Sequence, residues 1–253
     1  MHQHRLITAV EQLCRDDEQL TAALTYGSFP SGEADVHSDI EFWLFFASMP
    51  DPHAWLRPIG PSLHVVVNEF GAHVVVFPGL IRGEFHFAPA ADIASVAGWP
   101  ARSAAVDRMI ITDRTGELRR ALDSLPSTPR LPGTPDELAA LCGRFANWLI
   151  LAHHVAQRGE LLRAVDALGH AQRHLQWMTR LAENRTRHWL TPSRALETDL
   201  PPEAVAPLHR ATATADPDSL ASALAAAWSA GRHHWPLLAP VPAALFAELD
   251  ATL

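Results

Sequence analysis

Residues 40–46, IEFWLFF, form a short and strongly apolar run that begins directly after Asp39. A run of this length and composition reads as a buried strand rather than a helix, and it constrains its surroundings. On a strand, Asp39 and Glu41 point to one face while Ile40 and Phe42 point into the core. Two carboxylates on a half-buried face repel each other and lose hydration unless a positive group compensates them. Hard cations such as Mg²⁺ take carboxylates together with water and substrate phosphates, so a metal is one candidate for that group. Upstream, TAALTY (21–26) reads as extended and stops at Gly27-Ser28, with ten residues between Ser28 and Asp39. Glycine at such a turn lets backbone approach a phosphate, and serine adds a hydroxyl and an N–H.

Composition narrows what else the positive group can be. The chain contains no lysine, so all 20 basic residues are arginine. This excludes a phosphate-binding lysine loop and Schiff-base chemistry, and leaves arginine, backbone N–H groups or a metal to meet phosphate. A formal charge of -8 argues against a general nucleic-acid partner. Cys14 and Cys142 are far apart, without metal or redox spacing, and are expected to be reduced and buried. No leader-like segment opens the sequence, and no apolar run approaches the ~18 residues a bilayer span requires, so the expectation is a cytoplasmic protein without a membrane partner.

The first half reads as a small mixed sheet with helices. Leu6, Ile7, Val10, Leu13, Cys14 and Leu20 recur at helical spacing over residues 5–20. Two β-branched runs in 63–80 flank NEFG as a hairpin, and IRGEFHFA (81–88) alternates as a strand. A Pro-rich connector, PSTPRLPG, follows from residue 126. Thr134, Pro135 and Glu137 then have the spacing of a helix cap, first position and capping box, for a helix reaching about Gly159. A second long helix is expected over about 160–189, a third from TPSR at 191–194, and another from Asp216-Pro217. The expectation is an α+β chain with a catalytic domain at 1–128 and a bundle of four or five helices at 129–253.

In the 81–88 strand, Arg82, Glu84 and His86 share one face and Gly83, Phe85 and Phe87 the other. Such a polar triplet on a core-adjacent strand points to a site, the alternative being an exposed sheet face. Arg82 has two readings, a phosphate contact or a salt bridge to a neighbouring acid. His86 either orients Glu84 or an acceptor, or is a satisfied structural histidine. Glu33, Asp35 and Glu69 read as solvated loop acids. The adjacent pairs His153-His154 and His233-His234 diverge by about 100° on a helix and do not form metal sites. Trp148, Trp177 and Trp189 read as core residues or an apolar pocket wall. Arg163 and His170 have the R-x6-H spacing of a nuclease motif, a spacing that arises easily in a chain with 15 histidines.

The G-S, ten-residue gap, D-I-E pattern resembles the nucleotidyltransferase superfamily. YGSFPSGEADVHSDIEFWLF together with NEFGAHVVVFPGLIRGEFHF resembles, within it, the lincosamide nucleotidyltransferases with a helical C-terminal domain. The resemblance implies a nucleotidyltransferase-fold N-terminal domain and a helical domain that contributes to acceptor binding and dimerisation. Asp39 and Glu41 are implied as ligands of two Mg²⁺ ions, and Glu84 as a further ligand or as general base. Gly27, Ser28 and Arg82 are assigned to the nucleotide, with His86 behind Glu84. The reaction expected is transfer of AMP from ATP to a hydroxyl of a lincosamide antibiotic by a homodimeric enzyme. An aminoglycoside or a cellular metabolite is an alternative acceptor, and a toxin–antitoxin module acting on a protein partner is an alternative class.

Overall fold

The computed structural model describes residues 2–253, and its contacts cluster into two compact units, one running through Arg130 and the other spanning Leu131–Leu253. In the first unit, α1 (His2–Asp16) leads into β1 (Leu20–Thr25), a short α2 (Ser28–Ser31) and β2 (Ile40–Phe46). After α3 (Pro52–Leu56) come the hairpin of β3 (His64–Val67) and β4 (His73–Phe77), then β5 (Ile81–Pro89). The unit closes with α4 (Val106–Met109), β6 (Ile110–Asp113) and α5 (Glu117–Asp123).

The six strands form one sheet in the order β3-β4-β5-β2-β1-β6, in which β2 and β5 run parallel and the remaining neighbours antiparallel. Covering both faces explains why IEFWLFF is nearly continuous in its hydrophobicity rather than alternating. Val10 and Cys14 of α1 join Ile40, Phe42, Leu44, Phe46 and Phe85 in one buried cluster. Phe45, Ala22 and Leu24 instead join Ile93, Val96, Met109, Leu118 and Leu122 in another. Each aromatic ring so buried contributes on the order of 2 kcal/mol of transfer free energy. The expected hairpin is present, and the Asn68 carboxamide oxygen accepts from the backbone N–H groups of Phe70 and Ala72 in its turn.

The second unit is helical: α6 (Pro135–Gln157), α7 (Leu161–Ala182), α8 (Leu196–Asp199), α9 (Pro202–Arg210), α10 (Pro217–Leu238) and α11 (Ala243–Thr252). The capping box forms as expected, with Thr134 Oγ1 accepting from Glu137 N at 3.2 Å and Glu137 Oε2 accepting from Thr134 N at 3.1 Å. At the start of α10, Asp216 caps by accepting from the N–H groups of Asp218 and Ser219.

Three helix expectations are corrected. Helix α1 ends at Asp16, and Leu20 opens β1 instead of continuing the helical stripe. Helix α7 stops at Ala182 rather than near 189, because Asn184 adopts a left-handed conformation (φ 53°). Arg185 N then donates to Arg180 O at 2.8 Å and Asn184 N to Leu181 O at 3.1 Å, a Schellman ending built on asparagine instead of glycine. TPSR does not open a helix; Arg194 N turns back to Thr191 O, and α8 begins only after Ala195, itself at φ 51°. The described residues of this unit thus form six helices, including α11, beyond the four or five expected. Phe145, Leu149, Leu168, Leu175, Leu224 and Trp228 lie in its core. Trp148, Trp177 and Trp189 pack at the margin of that core as partly buried residues. At Gly231 a Cβ would run into the Phe145 ring, so glycine lets α10 approach α6 closely.

Cys14 and Cys142 are free and buried, and burial pushes their thiols up to about 12 and about 11. No described helix is long and apolar enough to cross a membrane.

Candidate active site

The site is built where β2 and β5 run side by side. In their parallel register Glu41 lies opposite Glu84 and Trp43 opposite His86, so the polar face of each strand adds to the other. Asp39 stands just before β2, at the end of the loop leading into it. Arg82 supplies positive charge in this cluster. One guanidinium nitrogen, Nη1, donates to Asp39 Oδ2 and the other, Nη2, to Glu84 Oε2, each at 2.5 Å. Of the two readings of Arg82, the structure therefore displays the salt bridge. Desolvation works against the Arg82 charge, but its bonds to Asp39 and Glu84, and their charges, outweigh that and raise its pKa.

The bridge has an open end and a sheltered end. Asp39 is 37% exposed and Arg82 39%, whereas Glu84 and His86 are 14% exposed. Glu84 Oε1 also accepts from the Tyr26 hydroxyl at 3.2 Å and lies 3.2 Å from His86 Nε2. Behind it, the Trp43 ring stacks on His86 with centroids 4.3 Å apart, and Trp99 closes against both Trp43 and Tyr26. Burial, then the charges of Glu84 and Glu41, raise the Tyr26 pKa far above its usual value, so the phenol stays protonated and keeps donating.

Gly27 is brought to this cluster by its backbone. It adopts φ 75° and ψ −142°, open to glycine and strained for other residues, and a Cβ there would fall on the Glu41 carboxylate. Ser28 is buried at the head of α2, and its carbonyl accepts from Ser31 Oγ and Glu33 N. The loop before Asp39 is held from α1: buried Gln3 donates through Nε2 to Val36 O at 2.9 Å and Ser38 O at 3.4 Å.

Asp39, Glu41, Glu84, Arg82, His86 and Gly27 are thus brought together at the central strand pair of the sheet. Tyr26, Trp43 and Gln3 are participants that sequence reasoning missed. Tyr26 was legible as the single tyrosine, placed directly before the Gly-Ser turn. Gln3 was legible as a polar residue on the same helical stripe as Ile7, Val10 and Cys14. Asp35 is exposed, as expected of a loop acid, and accepts from His37 N and Ser38 Oγ in a local turn; these bonds lower its pKa. Arg163 pairs with Glu160 and His170 stacks on Trp148, so neither of those side chains is directed at the other.

The oxygen-only donor set of Asp39, Glu41 and Glu84 has the chemistry for a hard divalent cation. No group of three or more His, Cys, Asp or Glu among the described residues is arranged to hold an ion in this conformation. What lies between Asp39 and Glu84 instead is the Arg82 guanidinium, a cation already seated on two of the three carboxylates.

Comparison with known proteins adds evidence from the other unit. Residues 134–238 match the family described as "Lincosamide nucleotidyltransferase-like, C-terminal domain". No curated protein sequence matches the chain. Among solved structures, the chain is similar to an aminoglycoside 6-adenyltransferase from Bacillus subtilis, at TM-score 0.45 and 11% identity, covering 98% of this chain and 95% of that one. It is also similar to a nucleotidyltransferase-like protein from Exiguobacterium sibiricum 255-15, at TM-score 0.39 and 12% identity, covering 95% of this chain and 78% of that one.

Proposed function

We propose, on the premise that the C-terminal unit is lincosamide nucleotidyltransferase-like, that this chain transfers a nucleoside monophosphate to a hydroxyl of a lincosamide-type antibiotic, with ATP as donor. The observation that carries the reading is the register pairing of Glu41 with Glu84, with Asp39 and Arg82 alongside. Arg82 brings one positive charge to three carboxylates, and a metal-bound triphosphate is a ligand whose cations such an oxygen-only cluster can take.

Asp39 and Glu41, with Glu84 beside them, are the residues that would hold Mg²⁺, two ions in this reading, and bound Mg²⁺ supplies charge neutralisation on the transferring phosphate. Gly27 and Ser28 hold the outer phosphates at the turn. Arg82 contributes the remaining positive charge toward them. Glu84 takes the proton from the acceptor hydroxyl as its oxygen bonds to the α-phosphorus and the bond to pyrophosphate breaks. Its carboxylate is suited to this because Tyr26 and His86 fix its orientation from the sheltered side. His86 acts through Glu84 and is a positioning residue.

The test incubates the protein with Mg²⁺, each nucleoside triphosphate in turn, and lincomycin or clindamycin, and reads the drug by mass spectrometry. The expected result is a drug heavier by one nucleoside monophosphate with ATP, absent with Asp39→Asn. Absence of any adduct, with nucleotide binding intact, would reject the lincosamide acceptor.

A further inference from the structure

The Arg82 bridge has a consequence for how the site loads, resting on the nucleotidyltransferase reading above. We propose that Arg82 is an exchangeable internal cation: it closes Asp39 onto Glu84 when the site is empty and leaves for the nucleotide phosphates when metal and nucleotide enter together. Metal alone then binds weakly, and metal and nucleotide bind cooperatively.

Three features of the site support exchange rather than a fixed structural bridge. First, the hydrogen bonds of Arg82 run to side-chain carboxylates on two different segments, the loop end at Asp39 and strand β5 at Glu84. Releasing it breaks no backbone pairing. Second, neither carboxylate is left without a partner by the exchange. Glu84 retains Tyr26 and His86 on Oε1, and Asp39 is open enough to solvent to take a hydrated cation in exchange. Third, the chain has no lysine, so phosphate charge is met by arginine, and Arg82 already sits on the carboxylate face. An incoming divalent ion and the guanidinium compete for the same oxygens, because two cations on one carboxylate repel. Nucleotide phosphates relieve that competition by giving Arg82 a new anionic partner, bidentate geometry suiting guanidinium to phosphate as well as to carboxylate. Linkage then requires the coupling to be reciprocal: whatever factor nucleotide adds to metal affinity, metal adds to nucleotide affinity.

The experiment uses Mn²⁺ as the metal probe, with free Mn²⁺ read by electron paramagnetic resonance, with and without α,β-methylene-ATP. For the unmodified protein, the expected result is weak Mn²⁺ binding alone and binding tighter by about tenfold or more with the analogue. Arg82→Gln, which removes the charge but keeps a polar side chain, is expected to tighten Mn²⁺ binding alone by about tenfold and to reduce the gain from the analogue to less than about threefold. Arg82→Lys keeps the charge and is expected to keep the weak metal-only state. Unchanged or weaker Mn²⁺ binding in folded Arg82→Gln, while the unmodified protein binds Mn²⁺ with the analogue, would overturn the exchange alone. If the unmodified protein binds no Mn²⁺ even with the analogue, the nucleotidyltransferase reading falls and takes the exchange with it.

Discussion

Each unit contains an arginine paired with an acid, and the two are built in opposite ways. Arg180 in α7 is fully buried, and its guanidinium donates to Asp199 and to the backbone carbonyls of Arg185, Pro192 and Arg194. His188 adds a second partner to Asp199 at 2.6 Å. Arg82 is 39% exposed, and its hydrogen bonds end on Asp39 and Glu84. An arginine whose donors end on backbone carbonyls replaces missing secondary structure; here it ties down the 183–195 segment where helix α7 has stopped. An arginine whose donors end on carboxylates at a partly exposed site holds charges that something else can claim. The difference lies in what the donors reach, which is why the first pair reads as architecture and the second as a site.

The largest expected effect breaks the buried member. Arg180→Met leaves three carbonyls without that donor and Asp199 with His188 as its partner, and should cost about 3–5 kcal/mol, read by urea unfolding. The corresponding Arg82→Met should cost less, because Arg82 and Asp39 are more than a third exposed and solvent screens that part of the bridge, while sheltered Glu84 keeps Tyr26 and His86. Equal losses from the two substitutions would erase the distinction.

Acid should also weaken the second unit through its buried and half-buried groups. Burial, then the neighbouring His233, lowers the His234 pKa to about 4, and its Nδ1 has no hydrogen-bond partner. The unfolded chain therefore takes up a proton on this residue before the folded one does. Stability is unaffected above about pH 6.5, falls as the pH drops toward 4, and levels off below that. The full loss is about 3 kcal/mol. Burial disfavours the charge of Asp199, but the bonds from His188 and Arg180 outweigh it and hold its carboxyl below 3.8, so a further loss follows as the pH falls below that value. Urea titrations at pH 7.5 and 4.5 on the protein and on His234→Leu test the first window: the variant should lose less stability between them than the protein does, the remainder coming from His73, His153 and His174, whose pKa values burial also lowers.

Within the candidate site, Gly27→Ala combines a strained φ with a collision against Glu41 and should cost about 1–3 kcal/mol and on the order of 100-fold in transfer rate. Tyr26→Phe removes one hydrogen bond to Glu84 and is expected to be the mildest, at about 1 kcal/mol of stability, lowering kcat more than it raises KM. Thermal melts and steady-state kinetics on the same preparations read both.

Much of this contrast was legible in the sequence, and unevenly. The α+β order, the β2 and β5 strands, their face assignments and the Thr134 capping box follow from local periodicity and cap chemistry. So does the shared face of Asp39 and Glu41, and that of Arg82, Glu84 and His86, because two-residue spacing fixes a face within each strand even before the strands are paired; that the two faces adjoin was implied by the family resemblance and not by spacing. The parallel register that puts Glu41 opposite Glu84 is a long-range fact that no local pattern carries. The end of α7 was misjudged because asparagine, not glycine, adopts the left-handed position, and the Arg180 network behind it depends on residues up to 19 apart in sequence. Strand β6 was missed because IITD is short and shows little alternation. Gln3 and Tyr26 were overlooked for a different reason: each is a single polar position on an apolar face, and its partner lies tens of residues away.

The most direct test of the central claim, that the β2–β5 carboxylates perform nucleotidyl transfer, is pyrophosphate release measured with ATP, Mg²⁺ and lincomycin for the protein and for Glu84→Gln. The account predicts pyrophosphate in equal amount to nucleotidylated drug for the protein, and neither product above background for a Glu84→Gln variant that melts at the same temperature. Undiminished release by folded Glu84→Gln would contradict it.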